Sequence, residues 1–95
     1  MLFNAVSTIH SHLDQAARHQ GLARRAEWSY PAGVKVHHEV WRATAPEVIT
    51  TFEADSYEQI MSIQLFWQDF MQINVSPATL PEQGLQIGAK LLGKK

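Results

Sequence analysis

The feature that most limits the fold is a pair of strand-like segments, Val34–Ala43 and Glu47–Ala54, which are separated only by Thr44–Ala45–Pro46. A connection this short can join two antiparallel strands, whereas parallel strands need a much longer crossover. The proline suits a turn or the start of a strand, because it has no amide hydrogen to donate to a neighbouring strand. The middle of the chain is therefore predicted to be a β-hairpin.

Alternation in the first segment divides its side chains between two faces, because successive residues of a strand point to opposite sides of the sheet. The valines Val34, Val36 and Val40 are predicted to point into a core, and His38 is predicted to lie with them as a core histidine with a hydrogen-bond partner. The other face then carries His37, Glu39 and Trp41. This second face is the best candidate for chemistry.

Helix and strand patterns lie on both sides of the hairpin. Leu2–Ile9 is apolar and β-branched, which favours a strand, and a capping-box pattern that starts at Ser11 predicts a helix after it. Capping boxes at Asp55 and Ser56 predict a second helix, with apolar residues at helical spacing. These apolar residues are Ile60, Ile63, Trp67 and Phe70, of which Trp67 is interpreted as core. Met71–Val75 alternates like a fourth strand, and a tail helix is predicted over about residues 79–92.

The resulting order is strand, helix, strand, strand, helix, strand and a tail helix, which is the order of a ferredoxin-like fold. The predicted fold class is α+β, with an antiparallel sheet in a single domain over residues 1–95. In this plan two helices cover one face of the sheet. An exposed Trp41 on the other face would be unfavourable, so two sheets are predicted to pair face to face in a homodimer.

Composition excludes several classes of function. The chain has 95 residues, 45% of them hydrophobic, and a formal net charge of -1, which describes a small globular domain without the positive field of a nucleic-acid-binding protein. It has no cysteine, which excludes a thiolate nucleophile and a cysteine zinc site. No apolar run approaches the roughly 20 residues of a membrane span. The start at Met1 lacks the charged region of a signal peptide, so a cytoplasmic location is expected.

Five short stretches are spread over most of the chain. They are Met1–Phe3, Pro31–Val36, Glu39–Trp41, Glu53–Asp55, and Trp67–Asp69 continuing into Ile73–Pro77. Together they resemble a family of small bacterial and archaeal domains of unknown function within the dimeric α/β-barrel superfamily. The resemblance implies that two sheets form a barrel across a dimer interface, with the uncovered face of each protomer lining a cavity. It implies no established activity.

The uncovered face carries the predicted site. A carboxylate two positions away along a strand favours the imidazolium form, so Glu39 would make His37 a plausible acid or base near neutral pH. The alternative interpretation is that both are solvated strand residues or hydrogen-bond partners across the dimer. The predicted ligand-binding residues are Asn4, Thr8, Trp41, Thr51, Glu53, Gln72 and Asn74.

No metal and no cofactor are predicted. His10 and His12 lie where a strand gives way to a helix, a common place for surface histidines, while His37 and His38 point to opposite faces of a regular strand. Some members of the wider superfamily are cofactor-independent or haem-degrading monooxygenases that rely on an Asn of the first strand, a Trp and a His or Tyr. Asn4 and a tryptophan, Trp41 or Trp67, are similar to part of that set. No histidine follows His38, so the haem ligand that the haem-degrading members carry on a later helix has no counterpart.

Three functions are compatible with these patterns. The leading hypothesis is a homodimer whose barrel cavity binds a small, partly apolar molecule. The first alternative is a cofactor-independent monooxygenase or isomerase that uses His37 with Glu39. The second alternative is a structural or interaction module that has no ligand.

Overall fold

The fold is a four-stranded antiparallel sheet with two helices on one face and a third helix beyond the sheet. The computed structural model describes residues 1–93 of the chain. The strands are β1 (Leu2–Ile9), β2 (Lys35–Trp41), β3 (Val48–Glu53) and β4 (Met71–Pro77), and the helices are α1 (Gln15–Glu27), α2 (Tyr57–Trp67) and α3 (Pro81–Leu91). The strand order across the sheet is β2-β3-β1-β4. The predicted α+β class and ferredoxin-like element order are confirmed.

The two sheet-covering helices begin at polar caps. Ser56 caps α2 and forms a capping box with Gln59, as the sequence predicts. The predicted start of α1 at Ser11 is wrong, because the helix is capped by Asp14, whose carboxylate accepts a hydrogen bond of 2.8 Å from the backbone N–H of Ala17. The residues between β1 and Asp14 form a turn instead. Aspartate is as good an N-cap as serine, so the later residue caps the helix once this turn has formed.

The core lies between the sheet and α2. Its buried apolar side chains are Ala5, Phe52, Ala54, Ile60, Ile63 and Trp67. Trp67 is only 2% exposed, which confirms its predicted place in the core. The rings of Trp28 and Phe70 pack against it, with centroid distances of 5.7 and 5.9 Å. Aromatic side chains of this size bury a large apolar area, so this group is a main source of stability.

Helix α1 packs against the turn that follows α2 at two points. The guanidinium of Arg24 donates two hydrogen bonds, of 3.1 and 3.0 Å, to the carboxylate of Asp69, and it lies 4.6 Å from the ring centroid of Trp67. One turn earlier, Gly21 is buried so close to Phe70 that an added Cβ would lie 2.2 Å from Cε1 of that ring. The hydrogen bonds from Arg24 lower the pKa of the Asp69 carboxyl group below its ordinary value.

Strand β2 contains a bulge at His37. Val36 pairs with Phe52 while His38 pairs with Thr51, so His37 is an additional residue between two successive pairs. Each residue after the bulge therefore lies on the opposite face from the one that strict alternation predicts. Glu39 pairs with Thr50 on the face that carries the core.

The bulge overturns three predictions about this strand. Glu39 and Trp41 do not share a face with His37, because they lie on the helix side of the sheet. Val40 does not point into the core but is 41% exposed, although Val34 and Val36 do pack against the core as expected. His38 is exposed and is not a core histidine.

Helix α3 stands apart from the rest of the structure. None of its residues is buried, and Leu85 and Leu91 are 75% and 81% exposed. The radius of gyration is 16.0 Å, compared with about 12 Å for a compact domain of this length. None of the helices within residues 1–93 is long and apolar enough to cross a membrane.

Candidate functional site

A cavity of about 240 Å³ lies between α1 and the helix-facing side of the sheet. It exists because small side chains line the space where large ones would fill it. Ala5 and Ser7 of β1 and Thr50 of β3 are buried there. The cavity therefore belongs to a single protomer and lies on the opposite side of the sheet from the predicted barrel cavity.

The wall of the cavity is almost entirely apolar. Its aliphatic side chains include Ile9, Val48, Ile63, Ile73 and Val75, and its aromatic side chains include Trp28, Trp41, Phe52, Trp67 and Phe70. All three tryptophans of the chain are in this group. Leu22 and Trp41 are more than half exposed and lie at the mouth. Such a wall favours an apolar ligand, because water inside it finds few hydrogen-bond partners.

Glu39 is the centre of a polar cluster on the β2 side of the cavity. Its carboxylate accepts hydrogen bonds from the Tyr30 hydroxyl at 2.5 Å, from the Trp41 indole Nε1 at 2.6 Å and from Arg25 Nη2 at 3.1 and 3.3 Å. The Glu39 side chain is 16% exposed. The cluster joins the end of α1 and the loop after it to β2, and it holds Trp41 over the mouth of the cavity.

The environment of this cluster changes two pKa values. Burial alone would raise the pKa of Glu39, but the hydrogen bonds from Tyr30 and Trp41 and the charge of Arg25 outweigh burial and lower it. Burial and the neighbouring carboxylate of Glu39 raise the pKa of Tyr30 to about 12. At neutral pH Glu39 is thus a carboxylate and Tyr30 a neutral hydrogen-bond donor.

Three further charged residues line the cavity where β1 ends and β3 begins. Arg18 donates through Nε to the carbonyl of Leu13 at 3.2 Å and through Nη2 to the carbonyl of His10 at 3.4 Å. Glu47 accepts a hydrogen bond of 3.0 Å from the backbone N–H of Ile9 through Oε1. Arg42 is exposed at the same end. Within residues 1–93, no carboxylate forms an ion pair with Arg18 or Arg42.

The remaining predicted site residues lie on the uncovered face of the sheet, which is the face opposite α1 and α2. Asn4 donates a long hydrogen bond of 3.4 Å to the hydroxyl of Thr51, and His37 Nε2 lies 2.5 Å from a carboxylate oxygen of Glu53. This contact with His37 lowers the pKa of Glu53. Thr8 pairs with Gln72, and Asn74 pairs with Val6. None of the residues named on this face lines the cavity.

The predicted partnership of His37 with Glu39 is absent. The bulge separates the two side chains onto opposite faces, and each has other partners: Glu53 for His37, and Tyr30, Trp41 and Arg25 for Glu39. Within the part of the chain that the structure describes, no group of three or more histidine or acidic side chains is placed to hold a metal ion.

The comparison with protein families places the chain in a family. A family model described as Domain of unknown function (DUF3303) matches residues 1–92. The chain belongs to the DUF3303 family. No curated protein and no solved structure shows significant similarity to it. Membership in DUF3303 agrees with the resemblance to a family of unknown function and brings no activity with it.

The cavity of this DUF3303 domain includes residues that the sequence analysis did not assign to a site. Arg18, Arg25, Tyr30, Ser7 and Thr50 all line it. A signal for Ser7 and Thr50 is present in the sequence, because each interrupts the apolar face of its strand at a position where alternation predicts a large core side chain. Arg18 and Arg25 gave no such signal, since arginines on a helix are usually solvated.

Proposed function

We propose that this domain binds a small, largely apolar molecule in the cavity between α1 and the sheet. The observation that carries the proposal is the apolar space of about 240 Å³ between α1 and the sheet, which is lined by aromatic and aliphatic side chains and opens to solvent beside Leu22 and Trp41. A dry cavity of about 150 Å³ is large enough to hold benzene. This one therefore suits a molecule with one ring or a short alkyl chain.

The polar cluster supports binding better than acid–base catalysis. A general base needs a free lone pair and a pKa near the working pH, whereas Glu39 already accepts from three side chains and its pKa is lowered. Tyr30, with a pKa of about 12, holds its proton at neutral pH. Both residues instead fix the shape of the cavity mouth by holding Trp41 in place.

Filling the cavity tests this proposal. We expect Val48→Phe to weaken binding of benzyl alcohol by about tenfold or more, because the larger ring occupies the ligand's space. Val40→Phe is the matched control, since Val40 lies on the same hairpin but on the uncovered face. Binding is measured by titration of the tryptophan fluorescence, to which only cavity-lining residues contribute.

Thermal melts first establish that both variants are folded, and their affinities for benzyl alcohol are then compared. Loss of binding in Val48→Phe with retention in Val40→Phe supports the cavity as the site. Equal binding by both variants and the natural chain would place the ligand elsewhere. A natural chain that binds neither benzyl alcohol nor a related neutral aromatic compound would favour the structural module without a ligand.

We also propose that two copies associate through the uncovered face of the sheet, as the resemblance to dimeric α/β barrels implies. The face contains half-buried apolar side chains, among them Val6 and Ile49, between its polar residues, and α1 and α2 lie on the other side of the sheet. The exposed leucines of α3 add apolar surface that a second copy would cover. Separately, we propose a cytoplasmic location for the protein.

Native mass spectrometry and light scattering over a range of concentrations test the association. We expect a dimer for the natural chain and a dissociation constant at least about tenfold higher for Ile49→Lys, because burying an unpaired ammonium group is costly. Ser62→Lys adds the same charge on an exposed position of α2 and is expected to leave the dimer intact. A natural chain that is monomeric at every concentration would refute the association.

A further inference from the structure

The charges around the cavity do not cancel. Five formally charged side chains line it. Three are positive, Arg18, Arg25 and Arg42, and two are negative, Glu39 and Glu47. Arg25 and Glu39 form an ion pair at 3.1 Å. One formal positive charge is therefore left over next to an apolar wall.

Arg18 is held in position without being neutralised. Its two hydrogen bonds go to the backbone carbonyls of His10 and Leu13, which orient the guanidinium but carry no net charge. A guanidinium has five N–H donors, so three of them remain for another acceptor. An arginine that is already oriented loses less side-chain entropy when it binds an anion.

Arg42 contributes a second cationic group at the same end of the cavity. It directly follows β2, and its backbone N–H is bonded to the carbonyl of Glu47 at 2.6 Å, which fixes the start of its side chain. No hydrogen bond or ion pair of the Arg42 side chain is formed with any residue of the described range 1–93. Its guanidinium is free to reach the mouth.

Glu47 limits the charge that the site accepts. This carboxylate also lines the cavity, and neither Arg18 nor Arg42 lies within ion-pair distance of it. A dianion such as a phosphate ester would meet repulsion from Glu47 and exceed the single spare positive charge. A group with one negative charge matches the balance, and a planar carboxylate also matches the two-pronged geometry of a guanidinium.

We infer that the ligand of this cavity is a small carboxylic acid in its ionised form, with an apolar ring or chain in the cavity and its carboxylate on Arg18 and Arg42. The inference rests on the proposed function, because it names the chemical class of the molecule bound at that same site. The apolar wall selects the body of the ligand, and the two arginines select its charged end.

Phenylacetate and phenylacetamide test the inference, because they have nearly the same shape and differ in charge. Titration of the tryptophan fluorescence is expected to show that phenylacetate binds about tenfold or more tightly, as hydrogen bonds to a charged group are stronger than those to an amide. Added sodium chloride is expected to weaken the binding of phenylacetate and leave that of phenylacetamide unchanged.

Substitution of the two arginines tests whether they cause the preference for phenylacetate over phenylacetamide. Arg18→Gln and Arg42→Gln are each expected to reduce the preference for phenylacetate severalfold, and the double variant is expected to abolish it. Lys35→Gln removes one positive charge at a position that does not line the cavity and is expected to retain the preference. Arg42→Gln keeps the test valid if Arg18→Gln fails to fold, because the Arg42 side chain is exposed and forms no hydrogen bond or ion pair within residues 1–93.

The possible results separate the inference from the proposed function. Equal binding of the two compounds would overturn the inference and leave the apolar cavity as a binding site. A preference for phenylacetate that survives in the double arginine variant would overturn the assignment to Arg18 and Arg42. Failure of both compounds, together with failure of benzyl alcohol, would overturn the proposed function itself.

Discussion

Replacement of Gly21 with alanine is expected to lower the free energy of unfolding by about 1–3 kcal/mol, although alanine is the better helix former. The new Cβ would lie 2.2 Å from Cε1 of Phe70. That ring cannot move away freely, because it packs at 5.9 Å from Trp67 and at 6.0 Å from the guanidinium of Arg24. Urea denaturation followed by circular dichroism measures the loss.

Gly88 in α3 provides the matched control. An added Cβ there would meet no atom within 4 Å, so Gly88→Ala is expected to increase helical content without any loss of stability. Combining Gly21→Ala with Phe70→Leu should cost less than the sum of the two single changes, because the smaller side chain relieves the clash. Full stability of Gly21→Ala, or strict additivity of the pair, would contradict the close packing of α1 described above.

Replacement of Glu39 with glutamine is expected to cost about 2–4 kcal/mol of folding free energy at pH 7. The change leaves Arg25 without its counter-charge and places an amide N–H₂ group among the donors of Tyr30 and Trp41. Glu53→Gln is the control, because the Glu53 side chain is 47% exposed and its contact with His37 is worth little in water. Chemical denaturation of the three proteins measures the difference, and equal stability of Glu39→Gln and the natural chain would refute the importance of the cluster.

The same cluster predicts how stability depends on pH. The pKa of Glu39 is lower in the folded chain than its ordinary value of 4.5, so the unfolded chain takes up the proton first as the pH falls. The stabilisation is therefore fully present above pH 4.5 and is lost as the pH falls through the folded pKa. Glu39→Gln should show a shallower acid loss than the natural chain, with the remaining slope due to groups such as Asp69, whose pKa is also lowered.

Tyr30 predicts the opposite dependence at high pH. Its pKa is raised from 10.0 to about 12, so the folded chain keeps the proton that the unfolded chain releases. This stabilisation is complete below pH 10 and is lost as the pH rises toward 12. In Tyr30→Phe the corresponding alkaline decline should be absent, which denaturation at pH 9 and pH 11 would reveal; an unchanged decline would show that other groups cause it.

The order of helices and strands could be predicted because it depends on local patterns. Leu2–Ile9 is apolar and β-branched, which favours a strand, and Ser56 with Gln59 forms the capping box that its spacing indicates. The start of α1 could not be predicted as well, since Ser11 and Asp14 are both good caps and the choice depends on where the turn after β1 closes. The N-cap preferences of serine and aspartate are too similar to decide which of the two residues begins the helix.

The face of each site residue could not be predicted, because one inserted residue in β2 reverses all that follow it. Before His37 the alternation holds, and Val34 and Val36 pack against the core. After His37 it is reversed, so Glu39 and Trp41 reach the cavity and Val40 does not. A bulge is a response to both neighbouring strands, and the sequence Val36–His38 alone contains no signal for it.

The bulge has a second effect, which concerns aggregation. Strand β2 is an edge of the sheet, and an edge with a regular row of free N–H and C=O groups is a template on which another chain can add a strand. The extra residue at His37 breaks the regular spacing of that row, and Lys35 and Arg42 place positive charges at its two ends. The irregularity that shapes the cavity mouth thus also protects this side of the sheet from uncontrolled growth into larger β-structures.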